Sequence, residues 1–232
     1  LACLPDQGEK KSLWISLNSG QMQRPMILLD QFPWHEIDID GCLVNEVQDP
    51  YWNMVETRLR QDIYKATYLT SDYVLTPYIQ LPRPIENTAF GIKADETIAV
   101  SDKRNSVVGH AFKNQFTCHE NLEKIKTPVI TLDRDKESEI RQMADSIFSG
   151  IIDFKMTGEV MHLGLWDRIS EWMGVENCYY ALIDEPDLLH ALMARLTDCT
   201  ISSIEQMNQV GGFDVTSNIC HCSHTFSTDL PS

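Results

Sequence analysis

The stretch that decides the fold reads Asp184-Glu185-Pro186-Asp187-Leu188-Leu189-His190 and opens a long predicted helix that ends at Gly211-Gly212. We expect Asp184 to cap this helix, since proline suits a first helical turn and acidic side chains suit its positive end. Glycine suits the helix stop because it readily adopts the left-handed conformation. Apolar residues recur every three to five positions between these ends and form one stripe: Leu189, Leu192, Leu196, Cys199, Ile204 and Met207. An extended run, Ile151–Met156, and a shorter predicted helix, Leu165–Met173, precede it, so the pattern predicts an α/β fold.

The rest of the chain also alternates between predicted strands and helices. These elements are strand Leu13–Leu17, helix Asp49–Leu69, strand Tyr73–Ile79, strand Pro128–Leu132, helix Glu137–Phe148 and strand Ser217–Cys222. The turn-rich segment Glu86–His110 predicts a long excursion with a small hairpin. Strands that alternate with helices pair in parallel through right-handed crossovers. We count about four to five strand–helix units, fewer than a closed eight-stranded barrel of about 250 residues needs. We therefore expect one domain, residues 1–232, with a TIM-type (β/α)8 barrel only partly represented.

Composition excludes several classes of partner. The net charge of −15 argues against nucleic acid and anionic membrane surfaces, which both attract basic patches. No apolar run reaches the roughly 18–20 residues that a membrane span needs. The seven cysteines are odd in number and widely scattered, which disfavours a disulfide framework. The plainest interpretation of these features is a cytoplasmic protein.

The densest group of potential metal ligands is Cys220-His221-Cys222-Ser223-His224. In an extended segment, Cys220, Cys222 and His224 lie on one face. Thiolates and imidazoles together favour zinc, and three protein ligands leave a position open for a substrate thiol or water. The alternative is that the cysteines are core residues and the histidines are hydrogen-bonded loop residues.

Three further residues are candidates because they follow, or lie within, predicted strands. Asn18 follows the first strand, Tyr78 lies near the end of the second, and His162 follows the strand-like run Ile151–Met156. Active-site groups of barrels gather at the C-terminal ends of strands. We therefore expect Asn18 to bind substrate and Tyr78 and His162 to serve in catalysis. The alternative for His162 is a capping or buried histidine.

Several stretches resemble the uroporphyrinogen decarboxylase superfamily. They are Met161–Leu165, Met173–Asn177, Leu182–His190, Asp49–Trp52 and Phe90–Ile92. The resemblance runs from about Trp14 to Gly212 and rests on a gate-like helix followed by an Asp-x-Pro-Asp/Glu-Leu helix that ends in glycine. It implies a TIM barrel with its pocket at the C-terminal mouth. It also implies one of two chemistries, which are decarboxylation of acetate groups on a tetrapyrrole and zinc-dependent methyl transfer between corrinoid proteins and thiols.

The methyltransferase-like branch is the preferred expectation. Its members use a His-x-Cys pair and a later cysteine, whereas this chain carries Cys222 and His224 in the reverse order. Cys220, Cys222 and His224 would then hold a zinc ion that activates a thiol by lowering its pKa, and a partner protein would supply the corrinoid.

Two alternatives to methyl transfer remain. A metal-free decarboxylase of a tetrapyrrole or another polyacid would need cations, for which Arg24 and Arg83 are the candidates. The family's decarboxylases carry an arginine-rich N-terminal segment, and the corresponding Gly20–Pro25 has one arginine. A partial barrel that only binds a tetrapyrrole or a partner protein would expose an apolar edge, which a homo-oligomer or a second chain would have to cover.

Overall fold

The computed structural model describes residues 1–29, 32–100, 108–160, 163–214, 219–220 and 223–228, and for Cys220 only the backbone. The α-helices are α1 (Pro5–Asn18), α2 (Pro50–Tyr68), α3 (Arg134–Phe148), α4 (Leu165–Met173), α5 (Val175–Asp184) and α6 (Pro186–Gln209), with a 3-10 helix at His119–Lys124. The strands are β1 (Tyr78–Pro82), β2 (Ile85–Asn87), β3 (Glu96–Ala99), β4 (Gly109–Phe112), β5 (Ile130–Leu132), β6 (Asp153–Thr157), β7 (Ile219–Cys220) and β8 (Ser223–His224).

The chain divides into two compact units. Unit 1 comprises Leu1–Pro82, Glu139–Val160 and Asp214–Ser232, and unit 2 comprises Arg83–Ser138 and Met161–Phe213. Each unit has its own buried apolar cluster. That of unit 1 is built from Val55, Ile79, Leu81, Ile140 and Ala144. That of unit 2 is built from Phe116, Ile125, Ile169, Trp172, Met173, Cys178, Ala181, Leu189, Leu192, Leu196 and Cys199.

Helix α1 corrects the strand predicted at Leu13–Leu17. The helix starts at Pro5, carries Asp6 in its first turn and runs through the whole of that apolar run. A short apolar run fits a buried strand and a helix segment equally well, and the helix-forming charged residues before it decide for the helix. The helix buries Trp14, whose indole N–H donates to the Asp72 carbonyl at 2.8 Å.

Helix α2 confirms the helix predicted from Asp49 onward. The Asp49 carboxylate accepts hydrogen bonds from the amides of Tyr51 and Trp52, and Pro50 occupies the first turn. These contacts satisfy amides that have no partner inside the helix.

Strand β1 begins later than the strand predicted at Tyr73–Ile79. The amide of Val74 donates to a ring nitrogen of His224 and the amide of Leu75 donates to the Gln7 side chain, so neither joins a strand ladder. Proline at 77 has no amide to donate. The strand therefore starts at Tyr78, and it pairs in parallel with β6 from Tyr78 opposite Asp153 to Pro82 opposite Thr157.

In unit 2, α4 confirms the predicted helix Leu165–Met173 at both ends, and α6 confirms the long helix. Helix α6 ends at Gln209, and the Gly212 amide donates a hydrogen bond to the Met207 carbonyl. Asp184 does not cap α6, because it is the last residue of α5, which the sequence did not predict.

The small sheets of the described residues each contain two strands. β2 pairs antiparallel with β5, β3 with β4, and β7 with β8. The pair β3–β4 confirms the hairpin predicted within Glu86–His110. The α/β class is thus confirmed, and the described strands do not form one closed sheet. None of the described helices is both long and apolar enough to cross a membrane.

Candidate functional site

Unit 1 contains a cavity of about 680 Å³, within the size range of small-molecule sites. It is bounded by α2, the segment Tyr73–Thr76, β1 and the end of β6. Apolar side chains make up much of its wall: Val55, Leu59, Ile63, Val74, Ile79 and Ile152.

The cavity reaches the C-terminal ends of the two parallel strands. Pro82, which ends β1, and Thr157, which ends β6, are register partners, and both line it together with Gly158. Ligands of open α/β sheets bind beyond the carboxyl ends of the strands. The cavity therefore includes the C-terminal ends of both strands, and it also extends along them to Tyr78 and Ile152 near their starts.

A polar cluster of Asp62, Lys65 and Tyr73 lies in the same wall. Asp62 and Lys65 are three residues apart on α2 and so share a helix face. The Tyr73 hydroxyl donates to Asp62 Oδ1 at 3.1 Å, and Lys65 Nζ lies 3.7 Å from the same oxygen. Lys65 Nζ also lies 4.4 Å from the centroid of the Tyr73 ring. The three side chains thus form one connected group.

The environment changes the pKa of the Asp62 carboxyl. Burial raises the pKa of Asp62, and the charge of Lys65, the hydrogen bond from Tyr73 and the charge of Arg58 oppose that rise only in part. Asp62 therefore keeps its proton over a wider pH range than a surface aspartate. Carboxyls with raised pKa values in clefts are typical of groups that move protons.

Arg58 adds a second cation to the cavity wall, one helical turn before Asp62. Its side chain forms no hydrogen bond and no ion pair with any residue that the structure describes. Its charge still acts on Asp62, whose pKa it lowers. The guanidinium group is thus available to a ligand.

Of the residues proposed from sequence, Tyr78 lines this cavity. It is the first residue of β1, and Lys155 Nζ lies 4.0 Å from the centroid of its ring. A catalytic role for Tyr78 stays a prediction.

Asn18 and Arg24 make contacts that tie segments of unit 1 together. The Asn18 amide donates to the carbonyls of His224 and Phe226 at 3.0 and 2.8 Å. Arg24 Nη1 and Nη2 donate to the Asp72 carboxylate at 2.9 and 2.6 Å. That hydrogen bond is the main reason why the pKa of Asp72 lies below its ordinary value.

Arg83 belongs to unit 2 and is not among the residues that line the cavity. Its Nη2 and Nε atoms donate to Glu137 Oε2 at 2.9 and 3.3 Å, and its Nη1 donates to the Gly211 carbonyl. Glu137 is buried, so the pair joins the start of α3 to the end of α6.

The predicted zinc ligands fall largely outside the described residues. This is so for Cys222 and for the side chain of Cys220, and His162 also lies there. His224 is described and is 1% exposed; its Nε2 accepts a hydrogen bond from the Val74 amide at 3.0 Å. Among the described residues, no three histidine, cysteine, aspartate or glutamate side chains come close enough to hold a metal. The zinc site stays a prediction.

Asp62, Arg58 and Lys65 were not singled out from sequence as candidate site residues. Their spacing of four and three residues was the available signal, since it puts all three charges on one helix face. The spacing alone does not predict whether this helix face lines a cavity or faces solvent. Comparison with known proteins adds no further assignment, because no family model, no curated protein and no solved structure matches the chain.

Proposed function

We propose that unit 1 binds an organic acid in the 680 Å³ cavity and acts on it as a metal-free decarboxylase. The observation that carries the proposal is the presence of Arg58, which has no partner among the described residues, beside the protonatable Asp62. This is the decarboxylase alternative drawn from the sequence, with Arg58 and Lys65 in place of Arg24 and Arg83 as the cations.

Binding follows from the charges of the wall. Arginine holds a carboxylate through two parallel hydrogen bonds, and Lys65 adds positive charge nearby. The apolar side chains of Val55, Leu59 and Ile79 cover the body of the ligand. A ligand with an apolar frame and two or more carboxylates satisfies both parts of the wall.

The reaction needs a proton donor. When a carboxylate leaves as CO2, the electron pair of the broken carbon–carbon bond stays on the carbon, which then takes a proton. Asp62 supplies that proton because burial raises its pKa, and the Tyr73 hydroxyl holds the carboxyl in place. Solvent returns the proton to Asp62.

The TIM-type barrel and the zinc-dependent transfer of a methyl group from a corrinoid to a thiol stay predictions. A barrel would repeat the parallel pairing that β1 and β6 form. In the methyl-transfer alternative a zinc ion would have to bind His224 through Nδ1, because Nε2 accepts from the Val74 amide. We favour the decarboxylase because Arg58 and Asp62 line one cavity in the described part of unit 1.

Calorimetric titration with benzene-1,2,4-tricarboxylate tests the binding step. We expect Arg58→Gln to weaken binding about tenfold or more, the effect of losing one charge-assisted pair. Arg134→Gln serves as the matched control, since Arg134 is an exposed arginine of unit 2. Equal affinity of Arg58→Gln and wild type, or no binding of the probe to wild type, would contradict the proposal.

Decarboxylation of oxaloacetate, followed by its ultraviolet absorbance in the presence of EDTA, tests the chemical step. We expect wild type to exceed the buffer rate and Asp62→Asn to fall to it. If the tricarboxylate binds through Arg58 and no acceleration appears, the cavity is a binding site only and the catalytic half of the proposal is wrong.

A further inference from the structure

A second, smaller cavity of about 290 Å³ lies in unit 1 beneath the loop that precedes α2. Its lining is Trp34, His35, Asp38, Leu43, Thr57 and Gln61. Only Gln61 also lines the larger cavity. The lining of this cavity thus differs from the cluster around Asp62.

The walls of this cavity are held in place by contacts between the loop and α2. The amides of Glu46 and Val47 donate to the Glu56 carboxylate at 2.9 Å each. Arg60 donates to the Cys42 carbonyl at 3.1 Å and forms an ion pair with Glu56 at 2.7 Å. A loop fixed in this way gives the cavity a defined shape before any ligand arrives.

His35 is the polar group that points to a ligand. Its Nε2 atom is buried and has no hydrogen-bond partner among the described residues. The Glu36 carboxylate lies 3.3 Å away, within ion-pair distance but outside hydrogen-bond geometry. Nearly all buried polar atoms in proteins are hydrogen-bonded, so we expect His35 Nε2 to form a hydrogen bond with a ligand atom.

The rest of the lining sets the shape and charge of that partner. Trp34 belongs to an aromatic group, with ring centroids 4.9 Å from Phe32 and 5.9 Å from Tyr64, and offers a flat apolar wall. The carboxylate of Asp38 in the lining repels anions, as does that of Glu36, which lies beside His35. The volume of about 290 Å³ lies just below the range for small-molecule sites, about 300–1,000 Å³, so a single ring fits best.

We propose that this cavity binds a small neutral aromatic ring that carries a hydroxyl group, such as a phenol. The hydroxyl pairs with His35 Nε2 in either tautomer of the imidazole, because a hydroxyl both donates and accepts. The ring packs on Trp34 and Leu43. The ligand is uncharged and therefore differs in class from the acid proposed for the larger cavity, and the inference stands whether or not that proposal holds.

Titrations with phenol and toluene, which share a ring and differ in the hydroxyl, test the inference on the wild-type chain. Binding is followed by calorimetry and by the imidazole carbon signals of 13C-histidine-labelled protein, with His35→Phe used to assign the His35 signal. We expect saturable phenol binding that shifts the His35 signal, and about tenfold weaker toluene binding.

The variants give the second measurement. We expect His35→Phe to lose about tenfold in phenol affinity, while His190→Phe, which changes an exposed histidine of α6, keeps wild-type affinity. Equal binding of phenol and toluene, an unshifted His35 signal at saturation, or unchanged affinity of a folded His35→Phe variant would each overturn the proposal. If His35→Phe fails to fold, the phenol–toluene comparison on wild type decides.

Discussion

Replacing His224 by phenylalanine removes the ring nitrogen that accepts a hydrogen bond from the Val74 amide and keeps an aromatic ring at the site. The His224 ring packs with Trp14, Tyr73 and Phe226 at centroid distances of 5.4, 5.5 and 5.2 Å. A phenylalanine ring preserves most of that packing. The substitution therefore removes both ring nitrogens and retains the aromatic ring.

The magnitude follows from burial. Val74 is 6% exposed and His224 is 1% exposed, so water does not replace the lost acceptor. A buried amide without a partner costs about 1–3 kcal/mol. We expect the free energy of unfolding to fall by about that amount.

Equilibrium unfolding in urea measures the change, and zinc content is determined on the same samples. His190→Phe is the control, since exposed positions change stability by about 0.5 kcal/mol or less. Unchanged stability of His224→Phe would refute the hydrogen-bond account. About one zinc per wild-type chain, lost in His224→Phe and in Cys222→Ser, would instead identify His224 as a metal ligand.

The remaining predictions concern two glycines and two aspartates. Gly174 has φ of +79° and an added Cβ would lie 2.9 Å from a backbone oxygen, so Gly174→Ala should destabilise by about 1–3 kcal/mol. Gly8 lies inside α1 with open space around it, so Gly8→Ala should raise the free energy of unfolding by about 0.5–1 kcal/mol. Thermal and urea unfolding of the two glycine variants check that one is less stable and the other more stable than wild type. The pKa of Asp62 in the folded chain is raised from its ordinary value of 3.8. The stability that the protonated carboxyl contributes is therefore present below 3.8 and is lost as pH rises through the folded pKa. Asp62→Asn should therefore gain stability relative to wild type from pH 4 to pH 7, and a constant difference in urea unfolding across that range would contradict this. The pKa of Asp72 is lowered by Arg24, so its contribution is present above 3.8 and lost as pH falls through the folded pKa. Relative to wild type, Asp72→Asn should lose more stability at neutral pH than in acid. A larger loss in acid would count against a stabilising ion pair between Arg24 and Asp72.

The helices were predictable where local signals agree with packing. The Asp49 cap of α2 and the glycines that follow α4 and α6 act within a few residues, and the apolar residues of these helices recur with a helical period. The bounds of the strands were harder to predict, because they depend on contacts with residues far away in sequence. The amide of Val74 leaves the strand ladder because His224, which is 150 residues away in sequence, accepts its hydrogen bond.

The candidate site was less predictable than the fold for the same reason. The cavity brings α2 together with Tyr73 and with the end of β6 at Thr157, which no spacing rule links. The arginines that stood out in sequence, Arg24 and Arg83, each find a carboxylate partner. Arg58 is one of several charged residues of α2. It is distinguished as a candidate for ligand binding only by its lack of a partner among the described residues.

A crystal structure of the chain with benzene-1,2,4-tricarboxylate tests the central claim most directly. We expect a carboxylate of the probe within hydrogen-bond distance of the Arg58 guanidinium, with the ring against Val55 and Ile79 and near the Asp62 carboxyl. A probe bound elsewhere on unit 1, or seated in this cavity without contact to Arg58, would contradict it.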